Sequence, residues 1–159
     1  MFDGSNDYSE FTDISVSGEF LITTPFSISD VSKSNNVILG SASSSTFVRY
    51  LPSGGGRIGV KLAGGETFFS SSLSNDTKYL LTLTRDDANL VSLFIDGVLK
   101  GTYTDSDTFT IDRWGVFSTS AVYFLQGSIM EGLIYNSDQS SKRELLEANI
   151  AAANGITLS

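Results

Sequence analysis

Residues 78–103 read KYLLTLTRDDANLVSLFIDGVLKGTY, and their alternation decides the fold class. Tyr79, Leu81 and Leu83 alternate with Leu80, Thr82 and Thr84. After the turn cluster Asp86-Asp87-Ala88-Asn89 the same period returns in Val91, Leu93 and Ile95. Successive side chains of a strand point to opposite faces, so a period of two marks strands with one face on a core. Asp96-Gly97 then stands between Ile95 and Val98. A two-residue type I′ turn needs positive φ at both positions, and Asp-Gly meets that need, so a tight hairpin is predicted here. The stretch reads as a three-stranded antiparallel meander.

The rest of the chain repeats this grammar. Strands are predicted upstream over 20–22, 26–28, 37–39, 46–51, 57–62 and 67–69, and downstream over 109–111, 114–117, 122–125 and 128–135. Ser53-Gly54-Gly55-Gly56 and Ala63-Gly64-Gly65 supply turns between them. Many short strands with frequent turn signals indicate a two-sheet sandwich. One helix is expected near the end. Ser141-Lys142-Arg143-Glu144 matches a capping box, Leu145, Leu146 and Ile150 give an apolar stripe, and Asn154-Gly155 gives a stop. This short helix is expected to cover a sheet end. Neither linker nor repeat divides the chain, which reads as a single domain over 1–159.

Composition narrows the chemistry. The 159 residues include 40% hydrophobic ones, with 11 Phe and 6 Tyr, enough for one packed core at this length. Net charge is −8, opposite to the basic footprint of a nucleic-acid binder. Residues 1–32 hold Asp3, Asp7, Glu10, Asp13, Glu19 and Asp30 with no Lys or Arg, either a solvated acidic edge or a face for a cation or basic partner. There is no Cys and no His, which removes thiol chemistry, imidazole catalysis and His-ligated zinc. No apolar run approaches the roughly 20 residues that span a bilayer, and MFDGSNDYSE does not read as a signal peptide. Membrane insertion is therefore not expected.

The quoted segments resemble a known family. Phe2-Asp3-Gly4-Ser5-Asn6-Asp7-Tyr8 is similar to the FDGxxDY opening of laminin-G-like, concanavalin A-like lectin/glucanase domains, and Leu93-Phe94-Ile95-Asp96-Gly97 to their "lYvDG" hairpin. Phe124-Leu125-Gln126-Gly127-Ser128-Ile129 and Leu133-Ile134-Tyr135-Asn136 resemble their closing strands. The resemblance implies an all-β, two-sheet antiparallel jelly-roll sandwich with ligand- or partner-binding loops at a rim or on the concave face. The family's glucanases carry Glu and Asp at E-x-D-x-(x)-E spacing on one strand, where alternation puts the carboxylates on one face. No such triplet occurs here, and Glu131 on its predicted strand lacks a second carboxylate at i+2 or i+4. The expectation is a protein that is not an enzyme.

Several residues are candidates for binding. Trp114, Tyr50 and Tyr123 are candidates for a sugar-stacking platform, the alternative being core positions. Asp105, Asp107 and Asp112 are candidate calcium ligands, as are Asp86, Asp87 and Asn89; both clusters also suit turn geometry. Gly54-Gly55-Gly56-Arg57-Ile58-Gly59 satisfies G-x-G-x-x-G as a string, but a strand follows it where a dinucleotide fingerprint needs a helix, so it reads as a hairpin turn. Asn75-Asp76-Thr77 fits a glycosylation sequon.

Stand-alone domains resembling this one, starting near FDG, occur among phage head and tail proteins. The expectation drawn from that likeness is a virion structural or decoration protein, attached to other virion proteins or to copies of itself and located in the virion. The alternative is a carbohydrate-binding, lectin-like adhesion module for cell-surface glycans, with or without calcium.

Overall fold

A computed structural model gives the structure of the chain and describes residues 1–43, 46–117 and 123–159. Among the described residues there are thirteen strands: β1 Phe2–Asp3, β2 Ser9–Val16, β3 Phe20–Ile28, β4 Asn36–Gly40, β5 Phe47–Leu51, β6 Arg57–Lys61, β7 Thr67–Ser70, β8 Lys78–Arg85, β9 Leu90–Ile95, β10 Val98–Thr104, β11 Phe109–Trp114, β12 Gln126–Ile129 and β13 Leu133–Tyr135. A 3₁₀ turn, Ser140–Lys142, leads into helix α1, Arg143–Asn154. One sheet runs β1-β12-β3-β8-β9-β10, with β13 also on β3, and the other runs β2-β11-β4-β5-β6-β7. Every strand pairing is antiparallel. This is the expected two-sheet jelly-roll sandwich with one short C-terminal helix.

The meander forms as its alternation requires. Leu81, Leu83, Val91, Leu93 and Ile95 lie in the core between the sheets. The turn takes the predicted geometry, with φ of 52° at Asp96 and 80° at Gly97. The Asp96 carboxylate also accepts from Leu80 N–H at 2.7 Å, while Asp96 N–H donates to Leu80 C=O at 2.9 Å. Gly54, Gly55 and Gly56 all adopt positive φ in the β5–β6 turn, so the glycine string is a hairpin.

Pro25 explains the main departure in the seven-stranded sheet. Residues 20–28 form one strand through Pro25, where two were expected, and 128–135 form two, where one was expected. Leu80, opposite Pro25, gives both backbone groups to Asp96, so the Pro25 nitrogen faces away from β8 toward its other neighbour. Proline has no N–H to donate to a ladder. The neighbouring strand breaks there: β12 ends opposite Phe26 and β13 begins opposite Thr23. Glu131 therefore lies in the excursion between strands, not on a strand, and its carboxylate accepts from Asn154 Nδ2 at 2.9 Å.

Strands β1 and β2 were not anticipated. β2 is an edge strand, exposed at most positions, so its alternation is masked by Ser, Glu and Asp. Within the predicted strand 122–125, Val122 lies outside the described residues, and Phe124 makes a single bridge to Val116. The helix also differs from expectation. Its N-cap is Lys142 with no side-chain cap bond, and Asp138 instead accepts from Ser140 N–H at 2.7 Å, starting the turn earlier than Ser141. Ile150 and Ala151 are buried with Leu80, whereas Leu145 is exposed. Leu80 is on the side of β8 opposite the core residues Leu81 and Leu83, so α1 lies on the outer face of the seven-stranded sheet rather than at a sheet end. Gly155 takes the left-handed stop position as predicted, with φ of 66°.

Candidate functional site

Because α1 occupies the outer face of one sheet, the outer face of the other is where side chains meet the surroundings. Alternation assigns them. On β5, Val48 and Tyr50 point into the core, which turns Phe47, Arg49 and Leu51 outward; on β6, Ile58 and Val60 point inward, which turns Arg57, Gly59 and Lys61 outward. Register then places Phe47 opposite Lys61, Arg49 opposite Gly59, and Gly59 opposite Phe68 of β7.

Two kinds of group meet on this face. At one end, the rings of Phe47 and Phe117 stack at 4.4 Å, and Phe117 stacks on Tyr123 at 4.7 Å with only 9° between planes. Val37 closes the base of this cluster. Arg49 and Lys61 both lie against the Phe47 ring, at 4.9 and 5.8 Å from its centroid. In the middle, Arg49 makes a bidentate pair with Glu66, at 2.7 and 2.5 Å, and also donates to Asn35 Oδ1. Gly59 makes this possible: a Cβ there would run into Glu66 Oε1 and come within 3.2 Å of Phe68. At the far end, the Arg57 guanidinium lies over the Phe68 ring at 4.0 Å, and Phe68 is 42% exposed.

The three aromatics proposed as a platform go to three different places. Tyr123 lies on this outer face. Tyr50 is 3% exposed in the core, so its ring faces other side chains and cannot form a platform. Trp114 points inward at the open side of the sandwich, tilted against Phe11 at 5.9 Å. It forms the wall of a cleft of about 480 Å³ shared with Phe11, Ile14, Leu133 and Ile134. Gly132 lets the indole approach, since a Cβ there would fall on Trp114 Cζ2 and lie 2.9 Å from two further ring carbons.

The three proposed calcium ligands also separate. Asp105 and Asp107 sit together in a rim pocket, their Oδ2 atoms 4.0 and 3.5 Å from the point a Cβ would occupy at Gly64. Asp112 lies elsewhere and is already engaged, accepting from Ala42 N–H at 3.1 Å and from Arg113 Nε at 2.8 Å. Asp86 Oδ1 accepts from Leu90 N–H at 2.8 Å, which is turn geometry. Among the described residues no group of three or more His, Cys, Asp or Glu is placed to hold a metal ion. The Tyr103 hydroxyl, beside the rim pocket, is buried with no hydrogen-bond partner, and burial pushes its ionisation well above the ordinary phenol range, with Asp105 adding to the effect. Asn75, of the sequon, accepts from Val31 N–H at 2.8 Å.

Sequence reading missed Arg49, Arg57, Lys61, Glu66 and Phe68. The signal was present in F-V-R-Y-L and R-I-G-V-K, residues 47–51 and 57–61, where one period-2 face carries three of the chain's ten cations. The same pattern places Tyr50 inward with Val48.

No family model matches the chain, and no curated protein matches it significantly. Solved structures do. A putative carbohydrate-binding protein from Bacteroides ovatus is similar with a TM-score of 0.69 at 13% identity, over 92% of this chain and 46% of its own, so the chain spans less than half of that protein. The CBM40 module of the Ruminococcus gnavus IT-sialidase, bound to α2,3-sialyllactose, is similar with a TM-score of 0.62 at 13% identity, over 94% of this chain and 97% of its own. The heptameric SAP-like pentraxin of Limulus polyphemus gives 0.63 at 8% identity, over 89% and 77%. At such identities the likeness concerns the backbone, and it supports the fold alone, an antiparallel jelly-roll sandwich.

Proposed function

We propose that this protein is a glycan-binding module that uses the outer face of its six-stranded sheet. The observation that carries this reading is the arrangement on that face: the Tyr123–Phe117–Phe47 stack, the exposed Phe68 ring, and planar polar groups of Arg49, Asn35 and Glu66 between them. Sugars present apolar C–H faces edged by hydroxyls. Aromatic rings suit the first, and fixed polar side chains suit the second. The Arg49–Glu66–Asn35 set is preorganised, because each member is held by another before any ligand arrives. Two of the similar structures, the Bacteroides ovatus protein and the Ruminococcus gnavus module, are described by their sugar binding, which supports the reading. The virion-attachment reading has no comparable support, since none of the three similar proteins is described as a virion component.

The test is a glycan array followed by calorimetry on the purified chain. Binding is expected, and Phe68→Ala and Tyr123→Ala are each expected to weaken it about tenfold, the range of a lost aromatic contact. Trp114→Ala is the comparison: on this reading it leaves glycan affinity within about twofold, because Trp114 points to the inner face of that sheet. If Trp114→Ala abolishes binding while Phe68→Ala and Tyr123→Ala do not, the site is the cleft and the face is wrong. If no glycan binds and the chain co-sediments with a particle at fixed stoichiometry, the reading gives way to virion attachment.

A further inference from the structure

The inference concerns which sugars this face selects, and it rests on the glycan-binding reading. Among the described residues, four of the chain's five arginines have a protein acceptor or acid partner. Arg49 holds Glu66, Arg85 donates to three backbone carbonyls, Arg113 holds Asp112 and Glu10, and Arg143 holds Glu147 and Glu144. Arg57 is the exception. None of its donors finds an acceptor among the described residues, and its Nε is buried without one.

This is unexpected from composition. The chain carries 18 acids against 10 bases, so neutralising partners are plentiful, yet none is placed beside Arg57. Its guanidinium is nonetheless held in position, 4.0 Å above the centroid of the Phe68 ring. The two terminal nitrogens, unlike Nε, are not buried, and through such a pair a guanidinium takes a carboxylate by two parallel hydrogen bonds. Lys61, farther along the same face of β6, lies against Phe47 and has no ion pair among the described residues. Counting Arg49, Arg57, Lys61 and Glu66, the part of the face on β5, β6 and the segment 66–70 carries two positive charges in excess on a chain whose net charge is −8.

We propose that the face binds an acidic sugar, with Arg57 receiving a carboxylate carried on a pyranose ring and the exposed part of Phe68 lying against that ring's C–H groups. Charge-assisted bidentate pairing gives specificity for the acid, and the local positive charge of Arg57 and Lys61 draws anionic glycans to this part of the face.

Calorimetry with 3′-sialyllactose, digalacturonic acid and lactose, at low and high salt, tests the proposal. The acidic sugars are expected to bind at least about tenfold tighter than lactose, with affinity falling as salt rises. Arg57→Met is expected to remove that preference, so that acidic and neutral sugars bind alike, and Arg57→Lys to restore part of it, since a point charge lacks the two-pronged geometry. Arg57→Lys also keeps the test valid if Arg57→Met fails to fold. If acidic and neutral sugars bind equally, or if the preference survives Arg57→Met, the acidic-sugar assignment is overturned and the glycan-binding reading stands. If none of these sugars and nothing on the array binds, the glycan-binding reading itself falls.

Discussion

Replacing Arg85 with methionine is expected to lower the unfolding free energy by about 3–5 kcal/mol, a large share of the total for a domain of this size. Arg85 is on the core side of β8 and is only 1% exposed, lying against the paired rings of Phe20 and Phe109 at 5.3 and 5.6 Å. Its Nε donates to Gly18 C=O at 2.7 Å, and one terminal nitrogen donates to Asp107 C=O at 2.8 Å and Asp105 C=O at 3.3 Å. The side chain thus ties the β2–β3 turn to the 105–107 rim loop through the end of the core. Methionine fills similar volume, and a buried ion pair exchanged for apolar side chains is often tolerated. That exchange is not open here, because the acceptors are backbone carbonyls and no substitution removes them. Each carbonyl left without a donor costs about 1–3 kcal/mol, partly offset because the other terminal nitrogen of Arg85 is already buried without a partner. Lysine restores the charge but not the fork, so Arg85→Lys should recover less than half of the loss. Urea denaturation measures both. A loss below about 1 kcal/mol for Arg85→Met would mean that water replaces the guanidinium and that the turn and rim loop are not held through it.

Arg85 also illustrates what a single sequence conceals. It continues the core-facing row of Tyr79, Leu81 and Leu83, so its position was legible, but an arginine at the end of a strand reads as exposed. Only the third dimension brings three carbonyls from distant segments to it. The same division runs through the molecule. The meander was legible because its period of two and its Asp-Gly turn are both local. The break opposite Pro25 was not, because proline acts there on a neighbouring strand about a hundred residues away in the chain. The outer face of β5 and β6 was legible in principle. Counting the alternation in 47–51 and 57–61 moves Tyr50 inward and gathers Arg49, Arg57 and Lys61 on one side. What no alternation could supply is that Glu66, beyond the next turn, lies across Gly59 to reach Arg49. The calcium candidates separate for a related reason. Asp105, Asp107 and Asp112 are close in sequence, but the first two lie in the rim loop before β11 and Asp112 is carried away from the rim along that strand.

Gly127→Ala should be the most damaging single-methyl substitution available in the seven-stranded sheet. Gly127 is buried in β12, opposite Ile28 on one side and Phe2 on the other. A Cβ at this position would fall on the Ser27 carbonyl oxygen, 2.9 Å from the carbonyl carbon and 3.0 Å from Ile28 Cα. These are backbone atoms of β3, which is itself fixed by β8 on its far side, so relief requires β12 to move away from its ladder. A loss of about 3 kcal/mol is expected, at the upper end for overpacking. Strand β1 pairs with β12, so the N-terminal segment should lose its anchor at the same time. Cleavage within residues 1–8 by a limiting dose of protease should rise together with the loss measured by denaturation. Gly132→Ala provides the contrast. There the atoms met first belong to the Trp114 ring, a side chain bordering an open cleft into which it can swing. That variant should keep most of its stability and change the fluorescence of the chain's single tryptophan instead. If Gly127→Ala proves as mild as Gly132→Ala, β12 is not pressed against β3, and the bare backbone contact assigned to Gly127 is wrong.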